Sequence, residues 1–573
     1  MGAVGPGARQ ARHLSARREA AFAAAAGVLA SVGATIFLRL WDADFRVPFS
    51  YAGDGMLNLT LIKTVMERGW FYENPRLGAP SGQELYDYPV LSGDGLHVAF
   101  FWLAGLFTDD PALVMNVFFV LTFPVTAVVT YLVLRRLAIG PEVAVVIAVL
   151  YTLTPYHFMR GEVHLLLAAY YVIPIGAYLA LSVLDGRARI GLATAALAAL
   201  VALASGSFYY SAFTVLLLAV AALLRFFASR DRRAFLPAGF VVGVILAVSL
   251  VQLTPTIVYR VANGTNQEVA KRYWFESENY SLRLTHLLLP VDGHRIDALA
   301  SRKAEYTEQI PQNEGRAGTL GVVASVGFLW LLAVVLLAVV GAWSGAIARY
   351  RGIAALTLAA VLVGTTGGLA TLLAVVWPQI RAWNRLSIFI AFFALLAVGL
   401  LLESLRPRLP ALGFGALLAG LLVLGAFDQT SSFFIPPHAG LAADYRADQS
   451  WYRSVEGQLA DGASVLQLPH EPFPEPPLGP RPIYEPAKAY LHTSDLRWSW
   501  GAMRGRPDDW SALYATRPAA ELVPAAREAG FEAIVVDKLA YPDGGVATES
   551  DLRRVLGTEP QRGPEGRYLL WRL

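Results

Sequence analysis

The chain has no cysteine, so it forms no disulfide and offers no thiolate nucleophile; any metal would rest on histidine, carboxylate or amide ligands. Charge is scarce as well. Only 16% of the 573 residues are Asp, Glu, Lys or Arg, and the formal net charge is +3. So small an excess, spread over short basic gaps, provides no basic face for a nucleic-acid partner. Internal repeats are missing, and so is low complexity beyond alanine-rich apolar runs, which argues against the paired halves of many transporters. What is abundant is apolar. Hydrophobic residues make up 55% of the chain and the mean hydropathy is +0.47, the composition of a polytopic membrane protein.

The apolar runs predict about eleven spans, bounded to about four residues: 20–40, 111–134, 141–155, 165–184, 189–205, 207–227, 234–255, 319–340, 353–375, 386–403 and 410–427. Several fall short of the roughly 20 residues a perpendicular crossing needs, and are expected to extend into flanking aromatics or to be broken helices inside a bundle. Residues 20–40 have the length of a signal peptide, but no small-residue cleavage site follows, so a retained first span is expected. The gaps alternate. Arg9, Arg12, Arg17 and Arg18, then Arg135-Arg136, Arg187 with Arg189, Arg225 to Arg233, Arg349 with Arg351, and Arg406 with Arg408 mark one side. Arginine-rich short loops stay cytoplasmic, which puts the N-terminus inside a plasma (inner) membrane and the C-terminus outside.

Three polar segments face outward on this reading. In 41–110, Gly53-Asp54-Gly55 precedes a run to Arg68 with apolar residues at 57, 61, 62, 65 and 66, one face of a helix lying on the membrane surface. Gly69 is its expected C-cap and Trp70-Phe71-Tyr72 an interfacial anchor. A second Gly-Asp-Gly opens the short apolar stretch 96–107, and Asp110-Pro111 caps the next span. The second segment, 256–318, mixes arginines with aromatics. The third, 428–573, carries strand-like runs at 464–468, 533–536 and 568–571 among helical stretches, the pattern of a small soluble α/β domain attached to the transmembrane part at 1–427.

Asp54 is the first candidate for chemistry, although an Asp before an amphipathic run is equally a natural N-cap. Its setting adds to it: Ile62-Lys63-Thr64-Val65-Met66-Glu67-Arg68-Gly69-Trp70, Asn74-Pro75, Gly78 and Tyr86-Asp87-Tyr88-Pro89-Val90-Leu91 follow. This stretch resembles the first outer loop of the C-type (GT-C) glycosyltransferases, in which an acidic motif after the first span precedes an interfacial helix ending Met-x-x-x-Gly-x-Trp and a proline-containing element. The resemblance implies that Asp54 acts as base or positions the acceptor. The family's acidic pair is Asp54-Gly55 here, and Asp87-Tyr88 stands where the proline element carries a lysine, so other cations must hold the donor phosphate. Asp42 and Asp44 are rival acids.

Gly161-Glu162-Val163-His164 lies in the second outer loop, where the oligosaccharyltransferase branch of that superfamily places an acid-x-acid motif for a divalent cation. The histidine favours Mn²⁺ over Mg²⁺ if Glu162 and His164 hold a metal at all. His157, Arg160 and His164 stand at i, i+3 and i+7 and would share one helical face, as a site or as a solvating stripe. His157, Asp87 and Tyr88 join Glu162 and His164 as candidates for acceptor or metal. Arg381 and Arg385 flank Trp383-Asn384 on the outer side, against the positive-inside trend, where a lipid phosphate would account for them; Arg283 and Arg316 are the alternatives. Trp498 and Trp500 could stack on sugar or fill a core. Together these residues point to a glycosyltransferase, expected to be inverting, with a polyprenyl-phosphate sugar as donor and an outer-face glycan, lipid or protein as acceptor. The rival readings are a flippase for lipid-linked sugars and a non-catalytic envelope-assembly protein, but the spans are nearly charge-free at their centres.

Overall fold

The computed structural model describes residues 15–310, 313–341, 345–376 and 378–573; Arg9 and Arg12 of the first basic stretch lie outside the described residues. Among these, eight helices are long and apolar enough to cross a membrane: Ala16–Phe37, Pro111–Arg136, Pro141–Arg160, Tyr209–Ser229, Arg232–Asn263, Gly321–Val339, Trp383–Arg408 and Ala411–Gln429. The protein is a multi-pass helical membrane protein. The other three expected spans form shorter apolar helices, Ile173–Leu184, Leu192–Leu203 and Arg351–Gly364. The last of these is interrupted at Thr365–Gly368 before a further helix, Leu369–Val376. Large aliphatic residues such as Leu246, Leu250, Val251, Val258 and Val261 stay exposed along one long helix, a surface suited to lipid.

The basic gaps gather at one end of the bundle. Arg135 pairs with Glu19, Arg406 with Glu142, and Arg225 lies beside Gly186. The polar segments 41–110, 256–318 and 428–573 gather at the opposite end. Asp54–Arg68 forms the expected helix, closed by Gly69 at φ +81, and Asp110 caps Pro111–Arg136 by accepting from the Leu113 N–H. The Asp54–Arg68 helix is buried rather than spread over a surface. It packs between the helices Gly95–Gly105 and Pro111–Arg136 on one side and the tail helix Ala487–Leu491 on the other. Only Trp70 of the expected aromatic anchor remains exposed; Phe71 and Tyr72 are buried.

A short hairpin, β1 (Glu73–Asn74) with β2 (Gln83–Glu84), follows. The tail holds a five-stranded sheet of β3 (Ser464–Leu468), β4 (Arg497–Trp498), β5 (Phe531–Asp537), β6 (Gln561–Arg562) and β7 (Tyr568–Arg572), in the order β4-β3-β5-β7-β6. β3 is parallel to both its neighbours, and β7 is antiparallel to β5 and β6. Alternation divides the faces. Leu466, Leu468, Ile534, Val536 and Trp571 meet Leu522 and Leu552 in a core of the tail's own, whereas Val465, Val535 and Leu570 face the core shared with the rest of the chain. Trp498 and Trp500 are buried, so both tryptophans serve packing.

The tail is fastened to the first polar segment by backbone and by charge. The Ala79 and Gly78 N–H groups donate to the Trp498 and Trp500 carbonyls, and the Trp498 N–H donates to the Arg76 carbonyl. Gly78, at φ +68, has no room for a side chain: a Cβ there would lie 2.7 Å from the Gly82 carbonyl oxygen. Buried Lys63 donates to the carbonyls of Tyr490, Leu491 and Thr493 at 2.7, 3.1 and 2.8 Å, where a helix C-terminus attracts a cation.

Candidate functional site

A cavity of about 330 Å³ opens between the first polar segment, the second and the tail. Asp54 lies on its wall. The N-cap position belongs to Gly53, whose φ of 55° and ψ of −138° suit only glycine, and no side chain caps the helix there. Asp54 is thus the first helical residue, and its carboxylate accepts no hydrogen bond among the described residues. Its capping role is not used. Burial raises its pKa to about 6, the Glu314 carboxylate adds to the rise, and Arg385 opposes it. A carboxylate poised near neutrality and facing open space is suited to taking a proton.

Opposite stand the arginines. Arg385 follows Trp383-Asn384 and stacks its guanidinium 4.1 Å above the Tyr209 ring. Its Nη2 donates to Glu314 at 3.3 Å, while its buried Nε has no partner. Arg381 donates to Glu276 at 2.7 Å and lies 4.0 Å from Glu475. Arg272 donates to both Glu475 oxygens, at 2.6 and 3.2 Å. Three guanidiniums thus line one cavity, each paired with a carboxylate and each with further N–H donors of the kind that suit an oxyanion.

His164 stands between the two walls, with Nε2 3.9 Å from Asp54 and 3.8 Å from Glu314. Burial and the nearby Arg160 lower its pKa to about 3, so the imidazole is neutral at working pH. Burial would raise the pKa of Glu314, but Arg385 and Arg160, the latter at 2.8 Å, overcome it and hold the carboxyl well below the usual range. Tyr88 lines the cavity beside Asp54.

The other expected site residues are elsewhere. Asp87 is buried and spent on the tail: Arg506 binds it bidentately at 2.7 and 3.0 Å, with Asn266 at 3.2 Å. His157 is fully buried, bonded to Thr122 and to the Thr152 carbonyl and stacked on Phe123. The expected shared face of His157, Arg160 and His164 does not form, because the helix Pro155–Arg160 ends at Gly161, φ +46, and the chain turns away. Arg316 lines a neighbouring chamber rather than this cavity, and Arg283 precedes the short helix Leu284–Leu288 off its wall. Asp44 pairs with Arg446, and Asp42 is exposed.

Glu162 accepts from the Ser50 N–H at 2.9 Å, and burial raises its pKa to about 8. Its carboxylate and His164 do not converge. Among the described residues no group of three or more His, Asp or Glu side chains is arranged to hold a metal ion. Glu314, the remaining oxygen donor near His164, is claimed by two guanidiniums. The donor set is not presented to a divalent cation, since Glu162 is turned to the Ser50 N–H and Glu314 to Arg160 and Arg385, which leaves His164 without two free carboxylates beside it. Exhaustive chelation is therefore expected to leave turnover unchanged; loss of activity restored by Mn²⁺ would show that Glu162 and His164 rearrange around an ion.

Three residues at the site were not read as such from the sequence: Glu314, Glu475 and Arg272. Glu475 comes from the tail, within Glu471-Pro-Phe-Pro-Glu475-Pro-Pro, and adopts φ 55°. A left-handed backbone at a charged residue, held between prolines, is strain of the kind kept at functional sites.

No family model matches the sequence, and no curated protein sequence matches it. In three dimensions the chain is similar to the archaeal oligosaccharyltransferase AglB from Archaeoglobus fulgidus in complex with an inhibitory peptide and a dolichol-phosphate, at 13% identity and a TM-score of 0.42, over 98% of this chain and 75% of that one. It is similar also to the Archaeoglobus fulgidus oligosaccharyltransferase in complex with Zn and sulfate, at 13% identity and a TM-score of 0.44, over 95% and 72% of the two chains. The same enzyme tethered to an acceptor peptide containing the NVT sequon matches at 12% identity and a TM-score of 0.43, over 98% and 74%.

Proposed function

We propose that this chain is an integral membrane glycosyltransferase that moves a sugar from a polyprenyl-phosphate donor to a glycan, lipid or protein acceptor on the extracytoplasmic face. The observation that carries this reading is the pairing of a free, proton-hungry carboxylate, Asp54, with Arg385, Arg381 and Arg272 across one cavity. Asp54 takes the proton of the acceptor hydroxyl as its oxygen attacks the anomeric carbon from the face opposite the phosphate. The bond from that carbon to the phosphate oxygen breaks, and the polyprenyl phosphate leaves with the electron pair. Charge builds on that oxygen beside the guanidiniums, which are already in place and so stabilise it without reorganising. Attack from the opposite face inverts the anomeric centre.

The base works only when ionised. With its pKa at about 6, kcat/KM is expected to fall about tenfold per pH unit below that point and to level above it. A log-linear pH profile measured with purified protein and a panel of radiolabelled polyprenyl-phosphate sugars checks this. An acid limb near pH 4, the ordinary range of a carboxyl, would point to another group; release of no polyprenyl phosphate from any donor would end the proposal.

The sidedness is tested separately. The basic gaps share the end remote from the cavity, which supports a cytoplasmic position for them. A periplasm-dependent reporter is expected to be active after Leu573 and inactive after Arg233. The reverse pattern would put the cavity on the cytoplasmic side and remove lipid-phosphate sugars of the outer leaflet as donors.

A further inference from the structure

Behind His164 and Glu314 lies a second chamber of about 370 Å³, to which Arg160, Arg316 and Asn313 also contribute. It shares His164 and Glu314 with the Asp54 cavity, so the two spaces adjoin across these side chains. The chamber continues into a groove of about 270 Å³ with which it has Met159, Arg160 and Arg316 in common. That groove is largely apolar, with five phenylalanines in its lining. Phe49, Phe119, Phe158, Phe433, Phe434 and Ile435 wall it, with Phe158 and Phe434 stacked at 5.0 Å. Phe119 comes from Pro111–Arg136, Phe158 from the end of Pro141–Arg160, and residues 433–437 follow Ala411–Gln429, so the groove runs where the bundle gives way to the polar segments.

The cations on the groove are Arg160 and Arg316, both shared with the chamber that also holds the ionised Glu314. Arg316 is exposed, lines both spaces, and makes no ion pair or side-chain hydrogen bond among the described residues. Arg160 donates to Glu314 and Asn384, but its buried Nε has no partner. Glu162 also borders the groove; burial raises its pKa to about 8, so it carries no charge at neutral pH to oppose an anion. An apolar groove that ends on an unpaired arginine, one side chain away from a base, fits an amphiphile with an acidic head. The donor phosphate has its own cradle at Arg381, Arg385 and Arg272, so this second place is for the other substrate.

We infer that the acceptor is an anionic lipid of the same membrane, its hydrocarbon chain in the aromatic groove and its acidic head on Arg316, with a hydroxyl reaching Asp54 past His164. This rests on the glycosyl-transfer reading for the role of the lipid, but the binding of the lipid is read without any turnover. The test uses the full chain in phosphatidylcholine nanodiscs doped with a phosphatidic acid that carries a diazirine in its acyl chain, followed by peptide mapping after illumination. Labelling is expected at Met159 and at residues 433–435, well above that from a phosphatidylcholine carrying the same diazirine. Arg316→Glu is expected to reduce it about tenfold, the worth of a charge-assisted contact, while labelling of Val28 on the lipid-facing first helix stays constant. Asp54→Asn is expected to retain the labelling, so loss of the base and loss of the lipid are seen apart. Equal labelling by the two phospholipids, or labelling indifferent to Arg316→Glu, would reduce the groove to a place for bulk lipid. Preferential labelling there by a diazirine polyprenyl phosphate would make it the donor's chain site and overturn the assignment.

Discussion

Asp54→Asn is expected to lower glycosyl transfer by about 10²–10⁴-fold, the usual worth of general-base catalysis, while expression and donor binding persist. The amide is nearly isosteric but cannot accept a proton at pH 7. Because the carboxylate caps no helix and accepts no bond from a neighbour, its replacement breaks nothing in the fold. The effect should therefore fall on kcat, with thermal stability unchanged. Activity close to wild type in Asp54→Asn, together with loss in Glu475→Gln, would transfer the role of base to the tail's carboxylate on the same cavity.

Arg385→Lys is expected to impair the enzyme although the charge is kept. The guanidinium lines the cavity, stacks on Tyr209 and reaches Glu314 with one arm. An ammonium is a point charge and reproduces neither the plane nor the fork. Losing one charge-assisted hydrogen bond costs roughly 1.5–3 kcal/mol, or about ten- to a hundredfold in donor use. Arg385→Ala goes further, because it also removes the stack on Tyr209 and leaves Glu314 with Arg160 as its close guanidinium partner. Separate donor and acceptor kinetics decide the assignment. A larger change in donor KM or in kcat than in acceptor KM is expected; wild-type values for both substrates would leave Arg381 and Arg385 as anchors for bulk lipid headgroups.

The parts of the fold that were legible in the sequence are those fixed by local pattern. Gly69 after an amphipathic run, Asp110-Pro111 before an apolar one, and the alternating Ser464–Leu468 segment each specify their element with a few residues, and each element forms at the expected place. Arg381 and Arg385 could be singled out because outer-side arginines beside a span run against the positive-inside trend, and Asp54, Tyr88 and His164 because their stretches resemble glycosyltransferase outer loops; all five line one cavity. Helical spacing misled where the helix stopped: Gly161 turns His164 toward Asp54 and leaves His157 in the core. Asp87 looked like a site acid because the sequence gives no sign of Arg506, more than 400 positions away, which neutralises it. Glu314, Glu475 and Arg272 were hidden for the same reason. Their partners come from distant segments, Glu475 meeting Arg272 from the tail and Glu314 meeting Arg160 and Arg385 from two turns of the bundle. No local pattern encodes such convergence.

The most direct measurement is mass spectrometry of lipid extracts and envelope glycans from cells lacking this chain, complemented with the wild-type protein or with Asp54→Asn. Loss of the chain is expected to accumulate one polyprenyl-phosphate sugar and to strip the same sugar from one outer-face acceptor, with wild type restoring both and Asp54→Asn restoring neither. Unchanged donor and acceptor pools in the deletion, or full restoration by Asp54→Asn, would contradict the account.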